Sequence, residues 1–207
     1  MLNGVRKKLA SAVTDSAAKI SEKLSGESSS DQNGGPSGVD TKGVRQLYID
    51  QRYEWTVRTR FEITDAEGRD VYTVKGSLGR IPRRFYIVDT HGNNVADVTE
   101  KLISAMPTFY IRIDGTEVAR IRKDFHLLKA KFRIAGPGLS VQGNILGSNF
   151  QILKNDKMIG QFNKNLLGWG DHYVIEILDQ AYELAVVSMV LVIDYLNRDS
   201  DRGIRPR

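Results

Sequence analysis

Between Arg120 and Arg133 the chain carries six basic side chains, Arg120, Arg122, Lys123, Lys129, Lys131 and Arg133, against one acid, Asp124. A guanidinium offers a planar fork of donors and an ammonium a point charge, so such a group suits phosphate or another oxyanion. Ala119 and Ile121 alternate with Arg120 and Arg122, and Phe132 and Ile134 bracket Arg133. If both stretches are strands with their apolar residues inward, period two turns Arg120, Arg122, Lys129, Lys131 and Arg133 onto one outer face. These five are the candidate anion- or phospholipid-binding residues. A second basic cluster, Arg80, Arg83 and Arg84, surrounds Pro82. The competing reading of both clusters is a solvated exterior whose charges keep a sheet soluble. Glu62, Asp70, Asp97 and Glu117 would then neutralise part of the first.

Other chemistry finds little support. The chain has no cysteine, which excludes disulfides, thiolate metal sites and a cysteine nucleophile. His91, His126 and His172 are far apart and lack ligand spacing, so no metal or cofactor is expected. No serine sits in a nucleophile elbow. Gly76-Ser77-Leu78-Gly79 and Gly136-Pro137-Gly138 punctuate strands and do not open helices, which argues against a phosphate loop. Trp169-Gly170-Asp171 reads as a turn in which Asp171 bonds nearby amides, with a catalytic carboxylate the weaker alternative. No catalytic residue is assigned, and the chain is expected not to be an enzyme.

The element that must organise the rest lies near the end, from Tyr182 to Leu196. Leu184 to Ile193 carries no charge, and Ser188 is its only polar residue. A segment apolar nearly all round marks a buried helix. Glu183 and Asp194 are eleven residues apart and fall on nearly one line at about 100° per residue. The uncharged run would be about 15 Å of helix, whereas a bilayer core needs roughly 20 residues, so no transmembrane span is expected. Asp179, with Glu183 in the first turn, supplies the start signal for a helix over 180–197. Val186, Val187, Val190, Val192 and Ile193 are β-branched and leave a buried strand as the alternative. If Asp194 is enclosed it needs a partner, such as a Lys or Arg of the surrounding wall.

Upstream, the pattern has period two. Trp55, Val57, Thr59, Phe61 and Ile63 share one face, and Thr56, Arg58, Arg60 and Glu62 the other. Asp65-Ala66-Glu67-Gly68 turns the chain into Asp70–Val74. The same hairpin recurs from Phe85, Phe109, Phe132 and Phe150, with tight-turn signals such as Asp114-Gly115 and Asn155-Asp156. With Arg45–Asp50 in front and His172–Leu178 behind, about twelve strands result, and so long a meander must curl, split or close. The expected fold is mainly β: a closed antiparallel barrel around the C-terminal helix. With the lumen filled, no ligand of the lipocalin kind can sit inside.

At the front, Val5, Leu9, Val13, Ala17, Ile20 and Leu24 are spaced as an amphipathic helix over 1–24, and the Gly/Ser-rich stretch 25–43 reads as a flexible linker. The barrel domain spans 44–198, and 199–207 is a basic tail. A net charge of +5 over 207 residues gives weak attraction to anionic surfaces. Arg6, Lys7 and Lys8 precede no long apolar run, so no secretory leader is predicted and the expected compartment is the cytoplasm.

Particular residues carry a resemblance. Phe61-x-Ile63-x-Asp65-x-x-Gly68-x-x-Val71-Tyr72-x-Val74, Asp114-Gly115 with Val118-Ala119 and Lys123, Trp169-Gly170-Asp171-x-Tyr173 and the helix Leu184 to Asp194 follow in an order that resembles the LURP-one-related family. The resemblance covers roughly residues 44–198. It implies the tubby C-terminal-like fold, a twelve-stranded barrel around a central hydrophobic helix, which phospholipid scramblases resemble too. No catalytic residues come with it. Tubby domains bind phosphoinositides through surface Lys and Arg. Scramblases are calcium-responsive and carry acylated cysteines, and this chain has neither cysteine nor an Asp-x-Asp-x-Asp-Gly loop. The expectation is a non-enzymatic binding or scaffold module, peripheral to an anionic membrane, with nucleic acid an unlikely partner. The alternative is a protein-interaction module that docks a partner through residues 5–24.

Overall fold

The computed structural model describes residues 43–50, 54–78, 82–101, 107–126, 129–146, 149–164 and 172–203. The helix expected over 1–24, nearly all of the expected linker, Arg80 and the turn expected at Trp169-Gly170-Asp171 lie outside the described residues. The strands are β1 (Arg45–Asp50), β2 (Arg58–Thr64), β3 (Asp70–Ser77), β4 (Arg84–Asp89), β5 (Asn94–Lys101), β6 (Thr108–Ile113), β7 (Thr116–His126), β8 (Lys129–Ala135), β9 (Leu139–Asn144), β10 (Asn149–Lys154), β11 (Lys157–Asn163) and β12 (His172–Ile177). A 3-10 turn over Gln180–Tyr182 leads into helix α1 (Glu183–Gly203), so the first residues of the basic tail are helical. Asp179 opens the turn by accepting the Ala181 amide at 3.1 Å.

All twelve strands join one antiparallel sheet in the order β8-β7-β6-β5-β4-β3-β2-β1-β12-β11-β10-β9. The first and last strands meet in full register, from Arg45 opposite Ile177 to Asp50 opposite His172. The tight turns follow from local chemistry. Asp114 and Gly115 (φ 49° and 73°) and Asn155 and Asp156 (φ 49° and 64°) take the left-handed conformation that matches strand twist. The barrel is nearly closed. Among the described residues the β8–β9 boundary alone lacks a ladder, although these strands are consecutive. Pro137 has no N–H to give, and Gly138 turns its carbonyl to the Asn155 amide at 2.7 Å. The turn is thus tied to the β10–β11 hairpin.

The lumen is filled by α1. From Val186 to Ile193 no residue is more than 1 % exposed, Ser188 included. The helix is buried on every side, as its composition requires. Aromatic and branched side chains from the wall complete the core, among them Phe85, Phe109, Phe150, Phe162, Ile87 and Ile111. Close approach is secured by Gly160 on β11, where an added Cβ would lie 2.7 Å from Val186 Cγ1 and 2.9 Å from the Glu176 carbonyl oxygen. One alternation fails. Trp55 is buried but Val57 is 66 % exposed, because β2 begins only at Arg58 and the residues before it turn across the barrel mouth.

Candidate functional site

The outer basic face is built by β6, β7 and β8. Ala119 and Ile121 point inward and are buried, which turns Arg120 and Arg122 outward. Arg122 stands opposite Arg133 across the β7–β8 ladder, Asp124 opposite Lys131, and His126 opposite Lys129. Register therefore brings Arg120, Arg122, Lys129, Lys131 and Arg133 to one face. It also sets two arginines side by side, where like charges repel. Part of the charge is compensated. Arg120 is ion-paired to Glu117 and stacks over the Tyr110 ring at 5.3 Å; the Glu117 hydrogen bond and charge push its pKa further up. Of the other expected neutralisers, Asp97 meets Arg112 at 3.8 Å and Glu62 meets Arg60 at 3.5 Å. Lys123, counted with this cluster by sequence, is inside. It is 2 % exposed, and its Nζ donates to the Leu196 carbonyl at 3.1 Å and to Asn197 Oδ1 at 3.3 Å. It pins the last turns of α1 to β7.

The second basic cluster is divided. Arg84 is exposed and donates to the Tyr86 hydroxyl at 3.3 Å. Arg83 instead lines a cleft of about 360 Å³ at the barrel mouth, with Glu54, Trp55, Thr56, Val57, Leu78, Tyr195 and Arg198. Beneath it two buried carboxylates hold the two guanidiniums. Glu100, 1 % exposed, accepts the Arg83 amide at 3.1 Å and its Nη1 at 3.3 Å. Asp194, 2 % exposed, accepts Trp55 Nε1–H at 2.9 Å and lies 3.0 Å from Arg198 Nε. Arg198 also donates to the Tyr173 hydroxyl at 3.3 Å. The partner of Asp194 is thus a wall indole and a cation one turn along its own helix. Alternation alone gave no sign of this cleft. An Asp at the end of an apolar helix followed four residues later by Arg was the available signal.

The opposite mouth is fastened in the same manner. Glu183 accepts the Tyr72 hydroxyl at 2.8 Å and meets Arg45 Nε at 3.1 Å. Burial, then the hydrogen bond and charge of Glu183, raise the Tyr72 phenol so that it stays a donor. The two carboxylates flank the uncharged run about 16 Å apart along the axis. Tyr48, beside this end, is pushed up to about 12 by burial first and then by the charge of Glu176.

His91 sits in a turn, its amide donating to Asp89 Oδ1 at 2.9 Å. No group of three His, Asp or Glu side chains suited to a metal ion occurs among the described residues. Among the same residues no helix is long and apolar enough to cross a membrane.

Comparison with known proteins agrees with this architecture. The chain is 25 % identical over 160 residues to Uncharacterized protein YxjI of Bacillus subtilis (strain 168), covering 77 % of this chain and 98 % of that protein. The X-ray structure of the Arabidopsis thaliana protein AT5G01750 superposes with a TM-score of 0.52 at 17 % identity, covering 79 % of this chain and 99 % of that one, which shows a shared fold. The pattern that defines the LURP-one-related family matches residues 45–194, from the start of β1 to the carboxylate that anchors α1, and the chain belongs to that family.

Proposed function

We propose that this protein is a non-enzymatic binding module whose outer basic face meets anionic phospholipid headgroups at a membrane surface. The observation that carries this reading is the placement of Arg122 directly opposite Arg133. Register gathers these two guanidiniums on the face that also carries Arg120, and a phosphate there takes a charge-assisted contact from each. Lys131 and Lys129 continue the line at two-residue steps along β8. The family resemblance supports the same direction.

Co-sedimentation with phosphatidylserine-containing and with neutral phosphatidylcholine vesicles tests the idea. The expected result is binding to anionic vesicles only, weakening as salt shortens the Debye length from about 30 Å at 0.01 M to about 8 Å at 0.15 M. Arg122→Glu with Lys131→Glu should abolish it. Indifference to anionic vesicles refutes the proposal. Binding that ignores those reversals and vanishes in Leu9→Asp with Val13→Asp assigns the contact to residues 5–24 instead.

A further inference from the structure

The mouth cleft stands apart from the outer basic face and has a chemistry of its own. It is about 360 Å³ in volume, at the small end of the roughly 300–1,000 Å³ of ligand pockets, which favour barrel mouths. Its walls are of two kinds. One side is apolar, formed by Leu78 and by Val57, which at 66 % exposure is a prominent surface hydrophobe. The other carries the guanidiniums of Arg83 and Arg198, whose side chains are 25 % and 23 % exposed. Each guanidinium is fixed from beneath, by Glu100 and by Asp194, and each lies over a tyrosine ring, Arg83 over Tyr195 at 6.0 Å and Arg198 over Tyr173 at 5.6 Å. Such support from a second layer is how a binding group is held in one orientation.

We propose that this cleft binds a small amphiphilic carboxylate, its head on Arg83 and Arg198 and its aliphatic tail along Val57 and Leu78. The lining decides the class of ligand by elimination. A cationic head meets two guanidiniums already in place and finds the lining aromatics covered, since Trp55 is 2 % exposed with its N–H committed to Asp194 and the Tyr195 ring lies under Arg83. A neutral head would cover two guanidiniums without giving either a charged acceptor. A dianionic phosphate is disfavoured because Glu100 and Asp194 already balance the two arginines and Glu54 stands on the lining. A planar monoanion suits the guanidinium fork and adds one charge. The tail gains from burial, up to about fourfold in affinity for each enclosed methylene.

Trp55 reports on the site. The chain has two tryptophans, Trp55 and Trp169, so Trp169→Phe in the full chain leaves Trp55 as the lone indole emitter. Its fluorescence is titrated with octanoate, hexanoate, octanol and octyltrimethylammonium. The expected result is a saturable change with octanoate, with hexanoate, octanol and the ammonium each weaker by roughly tenfold or more. Arg83→Met and Val57→Asp should each weaken octanoate by roughly tenfold. Val57 stands on the exposed lip, so its variant keeps the test open if Arg83→Met does not fold. No saturable response to octanoate up to about 10 mM overturns the proposal. So does an equal response to all heads, or a change under about threefold in whichever variants fold.

Discussion

Asp194→Ala should be among the most damaging single changes in this protein. Asp194 is 2 % exposed, accepts the Trp55 indole N–H at 2.9 Å and faces Arg198 at 3.0 Å. Truncating it removes the acceptor of a buried indole N–H and the carboxylate beside a guanidinium whose side chain is 23 % exposed. Breaking a buried pair costs about 3–5 kcal/mol, and the partial exposure of Arg198 places this case near about 3 kcal/mol. Trp55→Phe removes only the donor to a charged acceptor, about 1.5–3 kcal/mol before any packing loss. Since each variant destroys the same hydrogen bond, the double variant should show a coupling of about 1–2 kcal/mol. In a domain of this size about 3 kcal/mol lowers the Tm by about 6–12 °C. Urea unfolding followed by circular dichroism on the four proteins gives the cycle. An Asp194→Ala cost below about 1 kcal/mol, or a coupling below about 0.3 kcal/mol, would refute the anchoring of the helix through this carboxylate.

Other consequences are as direct. Gly160→Ala forces a Cβ to 2.7 Å from Val186 and should cost about 1–3 kcal/mol in the same unfolding assay; a neutral result would mean that helix and wall are not in contact there. In acid, two turns should weaken together. Burial alone would raise the Asp65 carboxyl, but hydrogen bonds from the Arg69 amide and guanidinium, the Arg69 charge and the Glu67 amide outweigh it and hold it below the usual range. Asp89 is held low by the side chain and amide of Asn93, then by the His91 amide and charge. Ionised, both carboxylates stabilise the fold above their unfolded values near pH 3.9, roughly, and that stability is lost as pH falls through the lowered native values. Asp65→Asn should therefore flatten the acid side of the Tm–pH curve, and an unchanged slope would contradict the assignment. At the unladdered seam, amides of β8 that point away from β7 should exchange with deuterium at least about 10²-fold faster than those of the β1–β12 ladder. Equal protection would mean that the seam is bonded.

The large features were legible because they rest on periodicity. Period two marked β2, recurring aromatic-led repeats marked the hairpins after it, and Asp114-Gly115 and Asn155-Asp156 marked the tightest turns, since few dipeptides accept two successive positive φ values. The apolar circumference of Leu184–Ile193 marked a helix that has to be enclosed. Alternation misled at Val57, because the strand had not yet begun. The charge of Lys123 suggests an outward position, but its parity with Ile121 puts it inside, where the carbonyl of Leu196 and the side-chain oxygen of Asn197 receive it. The mouth cleft was the least visible feature. It joins Trp55, Arg83 and Tyr195 from distant parts of the chain, and only the closing of the sheet makes them neighbours.

The enclosure of α1 is the claim on which the fold, the filled lumen and the cleft all depend. The chain has no cysteine, so Ser188→Cys places a single thiol at the centre of the helix, at a position 0 % exposed, and Val57→Cys places one on the lip, at 66 %. The rate of modification by a small maleimide in native buffer measures enclosure directly. The Ser188→Cys thiol should react at least about 10³-fold more slowly than the Val57→Cys thiol, because only unfolding admits the reagent. Rates within about tenfold of each other would show the helix open to water and contradict the enclosed barrel.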